Sequence, residues 1–79
     1  MITIDEIALR FNYHAPFNDQ ADRYEMIRAR GYNFARLITE ICPESRELAL
    51  ALTKLEEAVM WANAAIARRE QHLMVASQE

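Results

Sequence analysis

The order of apolar and polar residues along the chain predicts three helices, of which the first is short. Thr3 followed three residues later by Glu6 is the pattern of a capping box, with Thr3 as the N-cap. Apolar residues then recur at helical spacing until about Asn12, at Ile4, Ile7, Ala8 and Phe11. Because the residue before a proline avoids the helical conformation, Pro16 predicts an interruption at His14-Ala15-Pro16.

A second, longer helix is predicted to begin at a cap on Asn18 or Asp19 and to end near Ile41. Its apolar positions alternate in steps of three and four, the spacing of a seam between two helices: Tyr24, Ile27, Gly31, Phe34, Ile38 and Ile41. A glycine inside a helix costs roughly 1 kcal/mol relative to alanine. We therefore interpret Gly31 as a point where a neighbouring helix comes close.

A third helix is predicted from about Ser45 to about Val75, with either Ser45 as its N-cap or Pro43 at its first position. Its seam also alternates in steps of four and three: Leu48, Leu52, Leu55, Val59, Ala62, Ile66, Arg69 and Leu73. The short connection predicts that helices two and three are antiparallel. The expected fold is thus all-α, an antiparallel helical hairpin with a short N-terminal helix in a single domain over residues 1–79.

The third helix is apolar on more than one face. Four of its residues lie beside the seam: Met60, Trp61, Ala64 and Ala65. A helix that is apolar on several faces is buried on several faces, and the first helix is too short to cover them all. Tryptophan is enriched at interfaces because it buries a large area. These residues therefore predict a subunit interface and a compact homo-oligomer.

The composition supports the prediction of long, assembled helices and argues against some classes of function. Of the 79 residues, 52% are hydrophobic, whereas glycine occurs once and proline twice, which favours long helices that hide surface against other copies. The net charge of −3 argues against a binder of nucleic-acid polymers. The single cysteine, Cys42, excludes an internal disulfide. With no apolar run long enough to span a membrane and no secretion signal, we expect an intracellular protein.

The sequence offers little that would support catalysis. His14 and His72 lack metal-ligand spacing, and Ser45 has no evident base partner. Glu56 and Glu57 are adjacent on a helix, so their side chains point about 100° apart. We expect neither an enzyme nor a bound cofactor or metal.

Groups suited to a planar anion are present. Tyr13 and His14 lie at the chain reversal, and the second helix carries four arginines: Arg23, Arg28, Arg30 and Arg36. An aromatic ring stacks on a nucleobase, and arginine binds phosphate with a fork of N–H groups. The pattern alone, however, favours surface arginines paired with Asp22, Glu25 or Glu40, and Tyr13 packed on the hairpin. Arg69, in a seam position, either extends to water or points into a cavity between subunits.

Two segments together resemble the small phage-encoded anti-CBASS proteins of the second type. They are YHAPFNDQADRYEMIRARGYNFA, residues 13–35, and PESRELALALTKLEEAVMWANAAIAR, residues 43–68. The specific part is MWANAAIAR, and the two segments cover about two thirds of the chain. The first 12 residues and those after Arg69 carry no matching pattern.

The resemblance implies a homo-oligomer, expected to be a hexamer, in the cytoplasm of the infected bacterial host. It implies sequestration of the cyclic di- and trinucleotide signals of a CBASS defence system without their cleavage. In such proteins an aromatic residue stacks on the bases and a basic residue about 15 positions later holds phosphate, which Tyr13 and Arg28 match. The family often has lysine at the basic position, and Arg23 is the alternative here. For trinucleotides the candidates at subunit junctions are Arg30, Arg68 and Arg69. The rival hypothesis is a structural hairpin that docks a host or phage protein.

Overall fold

Three helices make up the part of the chain that the computed structural model describes, which is the backbone of residues 2–78 and the side chains of residues 2–70. They are α1 (Ile4–Phe11), α2 (Gln20–Ile41) and α3 (Arg46–Gln78). The start of α2 contacts the distal part of α3 through Gln20 and Ile66, and its middle contacts Val59. The two long helices are therefore antiparallel, and the predicted all-α hairpin with a short N-terminal helix is confirmed. The side chains of His72 and Leu73 lie outside the described residues.

Side chains cap two of the three helices at the predicted places. The Thr3 hydroxyl accepts a hydrogen bond from the Glu6 amide at 3.1 Å, so Thr3 is the N-cap of α1. The Ser45 hydroxyl accepts from the Leu48 amide at 3.1 Å, which decides between Ser45 and Pro43 in favour of Ser45. Asp19 is the N-cap residue of α2, but its carboxylate makes no capping bond and pairs with Arg23 instead.

The predicted seam of α2 is correct in its first half and wrong at Phe34 and Ile41. Phe34 is 52% exposed and Ile41 is 70% exposed, whereas Ala35 is half-buried beside α3. The contact advances by four residues from Ile27 to Gly31 and by four again from Gly31, so it falls on Ala35 instead of Phe34. Phe34 is thereby rotated out of the contact between the helices.

Gly31 is the point of close approach that its position predicted. A methyl group added at its α-carbon would lie 2.6 Å from Cγ2 of Val59. Such a distance is far below van der Waals contact, so α2 and α3 can be this close only because Gly31 has no side chain.

A polar lock ties the first turn of α2 to α3. Gln20 is 1% exposed, and its amide donates to the Ile66 carbonyl at 3.5 Å and to the Glu70 carboxylate at 3.1 Å. Arg23 binds the same carboxylate with both terminal nitrogens, one of them at 2.8 Å. These bonds hold the pKa of Glu70 at about 2, chiefly through Arg23 and then through Gln20. The lock fixes the end of the hairpin against which the loop after α1 is placed.

The hairpin has very little interior of its own. Among the described residues, no apolar side chain is fully buried, and Gln20 is the only buried residue of any kind. Large apolar side chains remain exposed on all three helices, including Phe11 (82%), Trp61 (62%) and Met60 (59%). No described helix is both long enough and apolar enough to cross a membrane.

Candidate functional site

The loop between α1 and α2 is folded so that it presents Tyr13. His14 donates a hydrogen bond from Nε2 to the Leu9 carbonyl at 2.7 Å, which fixes the loop to the last turns of α1. The Phe17 amide donates to the Gln20 side chain at 3.2 Å and fixes the other end of the loop to α2. Tyr13, held between these points, is 85% exposed. The packing of Tyr13 on the hairpin, which the pattern alone favoured, is therefore wrong.

Tyr13 stands at the rim of an open cleft of about 580 Å³ between the loop, α2 and α3. We call this cleft the tyrosine groove. Its lining includes His14, Arg28, Asn63 and Arg68. The structure thus brings together an exposed phenol ring and two guanidinium groups whose residues lie 15 and 55 positions further along the chain.

Two of the three arginines that line the tyrosine groove have no carboxylate partner among the described residues. In the described part of the chain, ion pairs engage Arg10, Arg23, Arg36 and Arg69 but neither Arg28 nor Arg68. Guanidinium groups without a carboxylate partner keep their fork of donors available for a phosphate. Asn63 adds a polar group to the wall, and its Oδ1 atom is buried without a hydrogen-bond partner among the described residues.

A second cleft of about 480 Å³ adjoins the first, and we call it the tryptophan groove. Its lining combines aromatic rings with three cations and two small residues: Phe11, Trp61, Arg10, Arg68, Arg69, Ala64 and Ala65. The Arg68 guanidinium lies 5.9 Å from the centre of the Trp61 ring, within cation–π range. Arg10, Ala64 and Arg68 line both grooves, and Met60 lines the tyrosine groove. All four residues that we predicted to form an interface therefore line one groove or the other.

Arg69, which lines the tryptophan groove, does not simply extend to water, because it binds Glu6. Its two terminal nitrogens donate to the two oxygens of that carboxylate at 2.9 and 3.0 Å. Glu6 also accepts from Nε of Arg10 at 2.8 Å. The bonds from Arg69, and secondarily those from Arg10, lower the pKa of Glu6 to about 2. The carboxylate therefore stays ionised at pH values where an ordinary glutamate takes up a proton.

Sequence reasoning overlooked Glu6 as part of the site. The pairing of Glu6 with Arg10, four residues later on one helix, is visible in the sequence. The pairing with Arg69 joins residues 63 positions apart, and only the packing of α1 against α3 reveals it.

Two of the predicted ligand residues lie apart from the grooves. Arg23 belongs to the polar lock with Glu70 and pairs through Nε with Asp19 at 3.2 Å, and these bonds raise its pKa. Its donors are therefore largely committed, and its partners are Asp19 and Glu70 in place of the predicted neighbours. Arg30 follows Arg28 by two positions, hence by about 200° around α2. Within the described residues it lines neither groove.

Comparison with known proteins bears on both grooves, because the matched region contains nearly all of their lining. The sequence model of the Acb2/Tad1 hairpin domain matches residues 4–67, from the first residue of α1 to the distal part of α3. No curated protein and no solved structure matches the chain. The match covers far more than half of the 79 residues. The chain therefore belongs to the Acb2/Tad1 hairpin family, the family of type 2 anti-CBASS proteins.

Proposed function

We propose that this protein sequesters cyclic di- and trinucleotide signals of a bacterial CBASS system, in the cytoplasm of the infected host, and does not cleave them. Membership of the family supports this class of function. The observation that supports the proposal for particular residues is the tyrosine groove, in which an exposed ring stands beside two arginines that have no carboxylate partner among the described residues. An aromatic ring and uncommitted guanidinium groups match the bases and phosphates of a cyclic nucleotide.

Within this proposal the residues divide into two roles. Tyr13 stacks on a base, while Arg28 and Arg68 bind phosphate oxygens. His14 holds the loop through its bond to Leu9, so that its contribution is to place Tyr13. For trinucleotides the cations of the tryptophan groove, Arg68 and Arg69, remain the candidates.

The site is completed by further copies of the chain. A cyclic dinucleotide has two bases and two phosphates in near two-fold symmetry, and a two-fold interface presents the same tyrosine and arginine twice. The absence of a buried apolar core among the described residues supports assembly, because the exposed rings and aliphatic side chains need a cover. We propose a homo-hexamer in which Met60, Trp61, Ala64 and Ala65 lie near the subunit contacts.

Storage without turnover agrees with the chemistry of the groove. Guanidinium groups stabilise the charge of a phosphodiester, but its cleavage also requires an activated nucleophile. Tight binding is then sufficient for function, and a nanomolar dissociation constant corresponds to about −12 kcal/mol.

The decisive experiment is a thermal-shift and calorimetry panel of cyclic di- and trinucleotides with the full chain. A ligand that binds only the folded state raises the melting temperature. Protein saturated with a bound nucleotide is then freed of excess ligand, incubated for hours and digested, and the released nucleotide is identified by chromatography. We expect the intact cyclic compound in stoichiometric amount. Linear product in excess of the sites would indicate an enzyme, and the lack of any bound nucleotide would favour the protein-docking hypothesis.

A further inference from the structure

We propose that Glu6 is an internal competitor for the phosphate-binding cations of the tryptophan groove, and that an incoming phosphate group displaces it from Arg69. The proposal deepens the proposed function, on which it rests for the natural ligand. It concerns a residue of α1, outside the two segments that carried the resemblance.

The bond between Arg69 and Glu6 has the geometry that a phosphate would use. Both terminal nitrogens of Arg69 donate to separate oxygens of one carboxylate, at 2.9 and 3.0 Å. Arginine binds two phosphate oxygens with the same pair of parallel N–H groups. A phosphodiester that approaches Arg69 end-on therefore finds these donors occupied by an anion of the protein itself.

Arg10 makes an exchange possible at low cost. Oε2 of Glu6 accepts from Arg10 at 2.8 Å as well as from Arg69. A carboxylate that loses its only cation is left charged and unsatisfied, which is expensive in a partly buried place. Glu6, whose side chain is 20% exposed, keeps the Arg10 bond when Arg69 turns to a ligand. The same carboxylate thus restrains Arg69 in the free protein and has a second partner in the bound one.

The exchange has a consequence for α1. The pair of Glu6 and Arg69 links α1 directly to α3. When a phosphate replaces Glu6, this link is lost while the helix keeps its internal bonds. Ligand binding should therefore loosen the amides of α1, whereas binding usually protects amides near a site.

The test compares Glu6→Gln with Asp5→Asn in the full chain. Both substitutions remove one negative charge from the first turn of α1, but Asp5 forms no ion pair among the described residues. The probes are inorganic pyrophosphate and the cyclic trinucleotide that shifts the melting temperature of the wild type most, measured by calorimetry. We expect Glu6→Gln to bind each probe more tightly than wild type because the competing carboxylate is gone. The gain should be only about three- to tenfold, since ion pairs in contact with solvent are weak. Asp5→Asn should differ from wild type by less than about twofold.

A double-mutant cycle assigns the gain to Arg69. In an Arg69→Met background, Glu6→Gln should no longer raise the affinity for pyrophosphate, because the competed group is gone. Hydrogen exchange of the wild-type chain gives a readout that needs no variant, and amides of α1 should exchange faster when pyrophosphate saturates the protein.

The outcomes separate this proposal from the proposed function. Cyclic nucleotides that bind wild type and Glu6→Gln equally, or bind the variant more weakly, overturn the competitor role and leave the sponge intact. Weaker binding would make Glu6 a residue that positions Arg69. A gain for pyrophosphate without any binding of cyclic nucleotides upholds the competitor and refutes the sponge. No binding of either probe by wild type or by Glu6→Gln refutes both.

Discussion

Individual arginines of this chain differ in what already occupies their donors. Arg23 is bound by Glu70 and Asp19, and Arg69 is bound by Glu6, whereas Arg28 and Arg68 form no ion pair among the described residues. Arginines that look equivalent in the sequence therefore differ in how many of their N–H donors are available to a ligand. A phosphate binds most readily to a guanidinium without a carboxylate partner, because no existing ion pair has to be broken.

Tyr13 and Arg28 provide the sharpest test at this scale. We expect Tyr13→Ala to weaken cyclic-dinucleotide binding by about 1–3 kcal/mol for each base stack lost. Tyr13→Phe keeps the ring and should retain most of the affinity. Arg28→Met should cost about 1.5–3 kcal/mol, as loss of a charged hydrogen bond does, and should reduce the dependence of binding on salt. Calorimetry at two salt concentrations measures both effects.

Arg36→Met is the matched control for Arg28→Met. Arg36 lies on the same helix, pairs with Glu40 at 3.3 Å and lines neither groove in the described part of the chain. If the Arg36 and Arg28 variants bind equally well, the tyrosine groove is not the site. All these variants should keep the mass of the wild-type assembly, since none removes an apolar residue of the contact.

At the scale of the helices, two carboxylates hold separate elements together. Glu70 ties the start of α2 to α3, and Glu6 ties α1 to α3. Both have pKa values lowered from 4.5 to about 2 by the arginines that bind them. A carboxyl with a lowered folded pKa stabilises the fold above its unfolded value, and that stability is lost as the pH falls through the folded pKa.

The stability of the protein should therefore be sensitive to acid in a defined range. The contribution of these groups is complete above about pH 5 and is lost between about pH 4.5 and pH 2. Melting temperatures measured across this range should fall steadily for wild type and fall less for Glu70→Gln, which lacks one titrating partner. Glu44→Gln, at an exposed position before α3, controls for the change of charge. Parallel acid profiles for all three chains would contradict this role of Glu70.

A second prediction for the hairpin concerns Gly31→Ala, which should lower or raise the stability depending on the side chain at position 59. Gly31→Ala gains roughly 1 kcal/mol of helix propensity, but its methyl group would lie 2.6 Å from the stiff side chain of Val59. Overpacking of this kind typically costs about 1–3 kcal/mol, so we expect a net loss of stability. In a Val59→Ala background the clash is gone, and the same substitution should stabilise the chain. Denaturant unfolding of wild type, the two single variants and the double variant measures the change in the free energy of unfolding in each background. If Gly31→Ala stabilises the wild-type background, the close approach of the helices is contradicted.

The whole molecule has more apolar surface than one copy can bury. Its described residues include exposed side chains of Trp61, Met60 and Phe11 and no fully buried apolar side chain. Small domains have marginal stability even when they have a compact core, and a single hairpin of this size buries less apolar surface than such a domain. In the assembly that we propose, other copies of the chain supply the missing burial.

Light scattering after gel filtration should give a mass several times the 9.2 kDa of the chain. Trp61→Lys should lower that mass or make the protein insoluble, because it places a charge where we propose that a large ring is buried between copies. Glu44→Lys places the same lysine side chain at an exposed position and should leave the mass unchanged. A wild-type protein that stays monomeric and folded at micromolar concentration would contradict the assembly and the completion of the site by a second copy.

Local chemistry explains which features could be foreseen from the sequence. The caps at Thr3 and Ser45, the close approach at Gly31 and the hairpin itself depend on residues near one another in the chain or on a helical period, and these the sequence determines. The rotation of α2 that exposes Phe34 depends on how two helices pack against each other, which strict three–four spacing does not specify.

The partners of the arginines likewise depend on the tertiary structure. Arg69 meets Glu6 from 63 positions away, and Arg23 meets Glu70 from 47 positions away, because the folded helices place those side chains side by side. Only that placement decides which arginines pair with a carboxylate and which lie beside Tyr13 without such a partner among the described residues.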